Sequence, residues 1–398
     1  MASKKTIEIV KLTAPVLEEH GETITKVFYK RLLENYPELK NLFNMTNQIK
    51  GKQSKALANV IFKYACHIDK LELLGDNVES IAQKHASLSI TKEMYPIVGE
   101  NLLEAIKDVL GNRATPEIIN AWAEAYGDLA VIFVNREEEL YRERENNIGG
   151  FRGSKEFVVF KKIKESEVIT SFYLKRKDGS PVPNFIPGQY ISITIDIPNK
   201  EHKFTRNYSL SDSPSENYLR ISVKKETGTL NGVVSNYLHS SINVGDIITI
   251  GMPSGEFTLK NKEIPLVLIS GGVGVTPLMS MYKEAIKVPN RSVFFIQCAL
   301  NSEVHAFEKE IKEKTTSNAK SIIIYSNPLV NDITRSETNY EGYLTLDILK
   351  EAGINNQSDF YFCGPTPFMK NTINILKELG VEKENINFEF FGPKEELL

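Results

Sequence analysis

Cysteine and long apolar runs are scarce in this sequence, and each scarcity excludes something. Its three cysteines, Cys66, Cys298 and Cys363, are odd in number and far apart, with no CxxC and no histidine cluster beside them. That argues against a disulfide framework or a zinc site and points to a reducing compartment. No stretch approaches the roughly 18 consecutive apolar residues of a membrane helix. The N-terminus, MASKKTIEIVKL, puts Glu8 and Lys11 where the apolar core of a signal peptide would lie, so a cytoplasmic chain without membrane insertion is expected. Neither sign of charge dominates: 48 basic and 51 acidic side chains leave a formal net charge of −3, without the basic excess that holds nucleic acid. What is present is ordinary globular composition, 41% apolar, 25% charged and 9% aromatic over 398 residues. A usual domain has roughly 100 to 150 residues, so several cores are expected.

Proline and glycine are thinly spread over residues 1–148, which hold four of the 17 prolines and six of the 24 glycines, and apolar residues there recur at three and four positions. The pattern predicts an all-helical domain over 1–148. Pro37 and Pro96 follow Tyr36 and Tyr95 at helix boundaries, and Pro116 is a first-turn proline after Thr115. From Pro116 one helix is expected to run to about Glu145, with Ile118, Ala121, Trp122, Ala125 and Leu129 on one stripe, until Asn146-Asn147-Ile148-Gly149-Gly150 ends it.

Beyond that point the period changes to two. Runs at Phe157 to Phe160, Val168 to Leu174, Tyr190 to Ile195, Leu219 to Val223 and Ile247 to Ile250 predict five or six short strands of a small antiparallel β-barrel over 152–262. After Pro265, apolar runs at Leu266 to Ile269, Val293 to Ile296, Ile322 to Ile324 and Phe360 to Phe362 alternate with helical segments such as Pro367 to Leu379. They predict an α/β domain with a parallel sheet over 263–398.

Two turns of that last domain lie where open parallel sheets bind ligands, at the carboxyl ends of strands. Gly271-Gly272-Val273-Gly274-Val275-Thr276 links a buried strand to a helix opened by Pro277, and such a loop lets the backbone approach a pyrophosphate at a helix N-terminus. A glycine-rich turn also arises from tight strand-to-helix packing. Cys363-Gly364-Pro365 follows another strand, with its thiol expected to face the crevice, although a cysteine there also serves as a small core residue. In the barrel, Arg206-Asn207-Tyr208-Ser209 ends a strand-like run: an arginine can pair with a pyrophosphate, a tyrosine can stack on a flat ring and a serine can hydrogen-bond a ring nitrogen. It also reads as an alternating strand. Together the two loops and the barrel resemble the ferredoxin-NADP reductase superfamily, whose flavin signature is RxYS. Tyr190 in Pro187-Gly188-Gln189-Tyr190, Gly232 and Ser235 in the GxxS that opens a helix, and the C-terminal Glu389-Phe390-Phe391-Gly392-Pro393 are similar to the same family's flavin-contacting elements.

In the helical part, Ile81, His85 and Leu88 share a face of the segment Val78 to Ser89, which turns the imidazole inward as a core residue or a ligand. Gln53 and Leu57 share another face, with Phe43 and Tyr29 before them. The order and spacing of Tyr29, Phe43, Gln53, Leu57 and His85 resemble the globin fold, and a globin followed by this reductase is the arrangement of the flavohemoglobin family. The resemblance implies that His85 is the proximal iron ligand and that Tyr29 and Gln53 face bound dioxygen. It also implies that Tyr95 and Glu137 complete a proximal relay and that Lys84 lies near the heme edge facing the flavin. Residues alone read Glu137, Glu138 and Glu139 as a solvated charge run; only the resemblance selects Glu137.

The activity so implied is nitric oxide dioxygenation: nitric oxide and dioxygen become nitrate at the iron of heme b, with electrons from NADH or NADPH passed through FAD. A monomer is expected. The alternatives are a flavin or ferric reductase whose globin is incidental, and a non-enzymatic oxygen carrier or sensor.

Overall fold

The structure, a computed structural model, describes residues 2–43, 51–71, 75–215, 217–228, 231–332 and 339–392. The chain forms two compact units. One comprises Met1–Asn147, Phe151–Ser154 and Ser192–Arg206, and the other Ile148–Gly150, Lys155–Ile191 and Asn207–Leu398.

The first part of the chain is helical, as its periodicity predicts. Its helices are α1 (Lys4–Leu12), α2 (Ala14–Asn35), α3 (Lys52–His67), α4 (Gly75–Ser87), α5 (Met94–Leu110) and α6 (Pro116–Glu145), with 3₁₀ turns at Pro37–Asn41 and Gly111–Arg113. Thr115 caps α6 by accepting from the Ile118 N–H, and Pro116 occupies the first turn, where its missing N–H costs nothing. α2 packs on α3 and α5, and α1 on α6. Phe28, Leu32, Ala105 and Trp122 lie in the buried centre, and the Trp122 indole donates to the Thr13 hydroxyl at 3.1 Å. A smaller cluster of Ala82, Ala86, Phe133 and Leu140 joins α4 to α6. The histidine-bearing helix ends at Ser87 rather than Ser89, because Ser89 turns to a φ of 59° that no helix continues.

Six strands then form the antiparallel barrel: β1 (Ser154–Lys164), β2 (Ile169–Arg176), β3 (Tyr190–Ile195), β4 (Phe204–Ser209), β5 (Leu219–Lys224) and β6 (Ile247–Gly251), in the order β4-β3-β6-β1-β2-β5. The helix α7 (Val233–Ser240) lies between β5 and β6 in the chain. The parallel sheet follows, in the order β10-β9-β8-β7-β11-β12, from β7 (Leu266–Gly271), β8 (Val293–Ala299), β9 (Ala319–Tyr325), β10 (Asn339–Glu341), β11 (Asp359–Cys363) and β12 (Ile386–Glu389). Its helices are α8 (Val275–Ala285), α9 (Glu308–Lys314), α10 (Leu346–Glu351) and α11 (Thr366–Leu379). All six residues of β7 and all five of β11 are buried, the signature of strands covered on both faces.

Candidate functional site

His85 occupies the last turn of α4, and two bonds tie down the chain just beyond it: the Ile90 N–H donates to the His85 carbonyl at 3.0 Å and the Tyr141 hydroxyl to the Ile90 carbonyl at 2.6 Å. Its Nδ1 lies 2.7 Å from Oε1 of Glu137 on α6. A carboxylate can only accept, so Nδ1 carries the hydrogen and the Nε2 lone pair is left for a metal. The Tyr95 hydroxyl donates to the same Oε1 at 2.5 Å and lies 3.1 Å from Nδ1. Burial, and then the hydrogen bond to Glu137, push that phenol well above its ordinary range. Tyr95 is itself anchored, since the Tyr126 hydroxyl donates to its carbonyl at 2.7 Å and the Tyr126 ring lies where a Cβ on Gly99 would be. Phe133 completes the surroundings, its ring centre 5.9 Å from that of His85. Phe133, Tyr126 and Gly99 were not singled out from the sequence, though Phe133 shares the helix face of Glu137.

Tyr29 and Phe43 meet edge to face, with ring centres 5.6 Å apart. Leu57 and Ile61 on α3 pack against the same core, yet like Tyr29 and Phe43 they stay only partly buried, as the walls of a recess do. Gln53 Oε1 is buried without a hydrogen-bond partner, and burial raises the Tyr29 phenol above its ordinary value. An orphaned buried acceptor, half-covered apolar walls and an imidazole with one nitrogen committed fit a heme. Lys84, though exposed, has lost enough hydration to push its ammonium below the usual range.

The flavin candidates gather around the barrel. β4 carries Arg206, Asn207, Tyr208 and Ser209, of which Ser209 is buried, Arg206 and Tyr208 half-buried and Asn207 exposed. Gly188 has a φ of +104°, and a Cβ there would meet the Phe257 carbonyl at 2.0 Å, so PGQY needs its glycine. Tyr190 pairs with Ser254 by two 2.9 Å backbone bonds, and its ring fills the space beside Gly255. Gly232 is the N-cap of α7, and a Cβ on it would sit 2.4 Å from Ser235 Oγ. That hydroxyl donates to the Gly232 carbonyl and accepts from the Glu226 N–H, each at 3.3 Å, which fixes the start of the helix.

In the nucleotide loop only Gly272 and Val273 reach solvent; Gly271, Gly274, Val275 and Thr276 are buried, and the Thr276 hydroxyl donates to the Val273 carbonyl. Gly272, at φ +54°, has nothing within 4 Å of where a Cβ would be, so the backbone is bare toward open space at the head of α8. A Cβ on Gly274 would lie 2.0 Å from the Cys363 carbonyl, which makes this loop and the Cys363-Gly364-Pro365 turn two lips of one crevice. The bare cradle fits a dinucleotide phosphate. Cys363 is fully buried and its thiol pushed well above its ordinary value, enclosed rather than facing the crevice as expected. Phe368, unnoticed in the sequence, fills the space beside Gly271 and Gly364. Glu389 ends β12 opposite Cys363, Phe390 packs partly on the sheet core, and Phe391 is exposed. Gly392 follows and Pro393 lies outside the described residues.

Comparison with known proteins matches the chain in three parts. Residues 26–132 match the globin family, 156–259 an oxidoreductase FAD-binding domain and 268–373 an oxidoreductase NAD-binding domain. Among solved structures, a flavohemoglobin from Malassezia yamatoensis with bound FAD and heme superimposes with a TM-score of 0.83 at 27% identity, covering 98% of this chain and 99% of that one. The FAD/NAD-binding domain of a nitric oxide dioxygenase from Vibrio cholerae superimposes with a TM-score of 0.54 at 33% identity, covering 61% of this chain and 100% of that one. The flavohemoprotein of Oceanobacillus iheyensis is 50% identical over 400 residues, covering 99% of this chain and 98% of its own, and that of Rhodopirellula baltica is 48% identical over the whole of both. Identity near one half, sustained from end to end through a globin, a flavin barrel and a nucleotide sheet in that order, places this chain in the flavohemoprotein family.

Proposed function

We propose that this flavohemoprotein is a nitric oxide dioxygenase, converting nitric oxide and dioxygen to nitrate with electrons from NADH or NADPH, and that it works as a cytoplasmic monomer organised as 1–148, 152–262 and 263–398. Bound heme supplies one-electron chemistry with dioxygen, and FAD converts a two-electron reductant into single electrons. The observation that carries the reading is the buried Glu137 carboxylate, which takes hydrogen bonds from both His85 and Tyr95. An imidazole that donates to a buried carboxylate is a stronger electron donor through Nε2 than a neutral one, which favours reaction over simple storage. Tyr29, as a hydroxyl donor, and Gln53, as an amide, supply the polar groups for the gaseous substrates. Arg206 and the head of α7 serve the flavin phosphates, and Gly272 with the head of α8 serves the nucleotide. Among the described residues no helix is long and apolar enough to cross a membrane.

Nitric oxide uptake by the purified chain with NADH and dioxygen, with nitrate measured as product, tests the proposal. His85→Ala is expected to abolish uptake and heme retention while leaving FAD and NADH-driven reduction of an artificial acceptor. No uptake by the parent, or nitrate formation that survives loss of His85, would overturn it.

A further inference from the structure

The barrel strand that carries the flavin signature and the helix that opens at the nucleotide loop are joined by a charge cluster in which Asp212 and Arg220 are buried and Lys283 and Glu310 half-buried. Three residues beyond Ser209, Asp212 contacts the Lys283 ammonium near the end of α8. Lys283 also reaches Glu310 Oε1 on α9 at 2.8 Å, and Glu310 Oε2 accepts from Arg220 Nη1 on β5 at 2.7 Å. Arg220 closes the circuit: its Nε lies 3.7 Å from Asp212 Oδ2, and it also donates to the Ser211 carbonyl and hydroxyl. Its guanidinium, 1% exposed, lies over the Phe307 ring at 5.0 Å. The Tyr218 hydroxyl donates to Asp212 at 3.0 Å. Burial would raise Asp212, but Arg220 and Lys283 outweigh it and hold the carboxyl below its usual value. Glu165, the first residue after β1, feels the same cluster, and its carboxyl is raised chiefly by lost hydration.

Two cations and two anions thus balance in the seam between barrel and parallel sheet. Buried ion pairs are poor sources of stability, because desolvation cancels most of their attraction; what they enforce is a geometry, since each charge is tolerated only where its partners stand. Elsewhere on the same helix, Gly188 of the PGQY turn comes so close to α8 that a Cβ would sit 2.4 Å from Met281 Cε. The same helix is therefore held by contact at one point and by charge at another.

We propose that Asp212, Arg220, Lys283 and Glu310 act as positioning residues that lock the flavin strand to the nucleotide helix and so set the reacting distance for reduction of flavin by nicotinamide. This rests on the reading that pyridine nucleotide reduces FAD in this chain. Two-electron transfer at contact distance is sensitive to small displacements, and about 1 Å of misplacement reduces such rates by roughly 100-fold.

Glu310→Gln in the holoprotein keeps the side chain's shape and breaks the circuit; Lys283→Gln breaks it from the other side should the first variant fold poorly. Stopped-flow bleaching of the flavin at saturating NADH is expected to slow by about 10- to 100-fold, with the NADH concentration for half-maximal rate changed less than about twofold. Lys283→Arg should restore most of the rate to the Lys283 position. Hydrogen exchange supplies a readout independent of turnover. The Glu167 amide, which bonds the Glu303 carbonyl across the same seam at 2.9 Å, should exchange faster in the variants, whereas the Lys260 amide, bonded to the Tyr361 hydroxyl at 3.0 Å, should not. Unchanged bleaching with a lowered melting temperature would reduce the cluster to a structural role and overturn the proposal. A parent flavin that neither NADH nor NADPH bleaches would overturn the underlying reading, and the positioning role with it.

Discussion

Replacing Glu137 by glutamine preserves the side chain's shape and removes its charge at a buried position where one oxygen serves two donors. In the parent, Oε1 accepts from the Tyr95 hydroxyl at 2.5 Å and from His85 Nδ1 at 2.7 Å. A hydrogen bond to a charged partner is worth about 1.5–3 kcal/mol and one between neutral groups about 0.5–1.5, so the substitution weakens the grip on Nδ1–H by about 1–1.5 kcal/mol. A carboxylate that draws the Nδ1 hydrogen makes Nε2 more basic and favours the higher charge on the iron. If that difference falls wholly on the ferric state, one-electron conversion at 59 mV per 1.36 kcal/mol gives a rise in midpoint potential of about 40–65 mV. Spectroelectrochemical titration of the heme in parent and variant measures it. Tyr95→Phe is the companion: the carboxylate keeps its charge and loses a competing donor, so its hold on His85 tightens and the potential should move down. A Glu137→Gln potential within about 10 mV of the parent, with heme fully retained, would show that this carboxylate does not tune the iron.

Tyr29→Phe retains the ring contact with Phe43 and removes only the hydroxyl. Stopped-flow dioxygen dissociation should speed by about 10- to 100-fold while NADH-driven flavin reduction stays unchanged. Gly274→Ala would drive a methyl to 2.0 Å from the Cys363 carbonyl, between two pieces of rigid backbone. It should cost about 1–3 kcal/mol in thermal unfolding and abolish flavin reduction by NADH, with the Soret band intact. Gly272→Ala adds its methyl to open space and should cost only the left-handed backbone penalty of about 1–2 kcal/mol. The Glu138 carboxyl, forked by Arg152 at 2.8 and 2.9 Å, is pushed down to about 2. A depressed carboxyl stabilises above its unfolded value and loses that contribution as pH falls through the folded one. Glu138→Gln should therefore lower stability near neutrality, by about 1 kcal/mol or less given solvent screening, and match the parent below pH about 2 in denaturant titrations.

The long helix from Pro116 to Glu145 was legible because its start is written in side chains, a threonine cap and a first-turn proline, and its stripe in period. β10 and β12 were not: each is three or four residues long, without an apolar run, and β12 exists because β11, some twenty residues upstream, offers a parallel edge. The same limit hid the choice among Glu137, Glu138 and Glu139. Their side chains are 3%, 38% and 64% exposed, a graded consequence of helix rotation against a neighbour that a run of three identical letters does not display. His85 could be placed on an inward face by spacing alone, whereas its carboxylate lies 52 residues away and needed the family resemblance. Arg220 was the most opaque. In Leu219 to Val223 it reads as the outward polar position of an alternating strand, whereas Ser211, Asp212, the Phe307 ring and Glu310 of α9 close around it.

The enclosure of Cys363 has a chemical consequence. Sulfur reacts with oxidants, nitrosating agents and other disulfides as thiolate, and a thiol held well above its ordinary value by lost hydration and by Glu389 keeps its proton at physiological pH. This atom lies at the end of β11, whose following turn packs against the Gly271–Thr276 loop proposed to hold the nucleotide. Burial makes it inert there. Damage at this position has to wait for local opening of β11, so its rate scales with how often that buried strand opens and not with the reactivity of an exposed thiol.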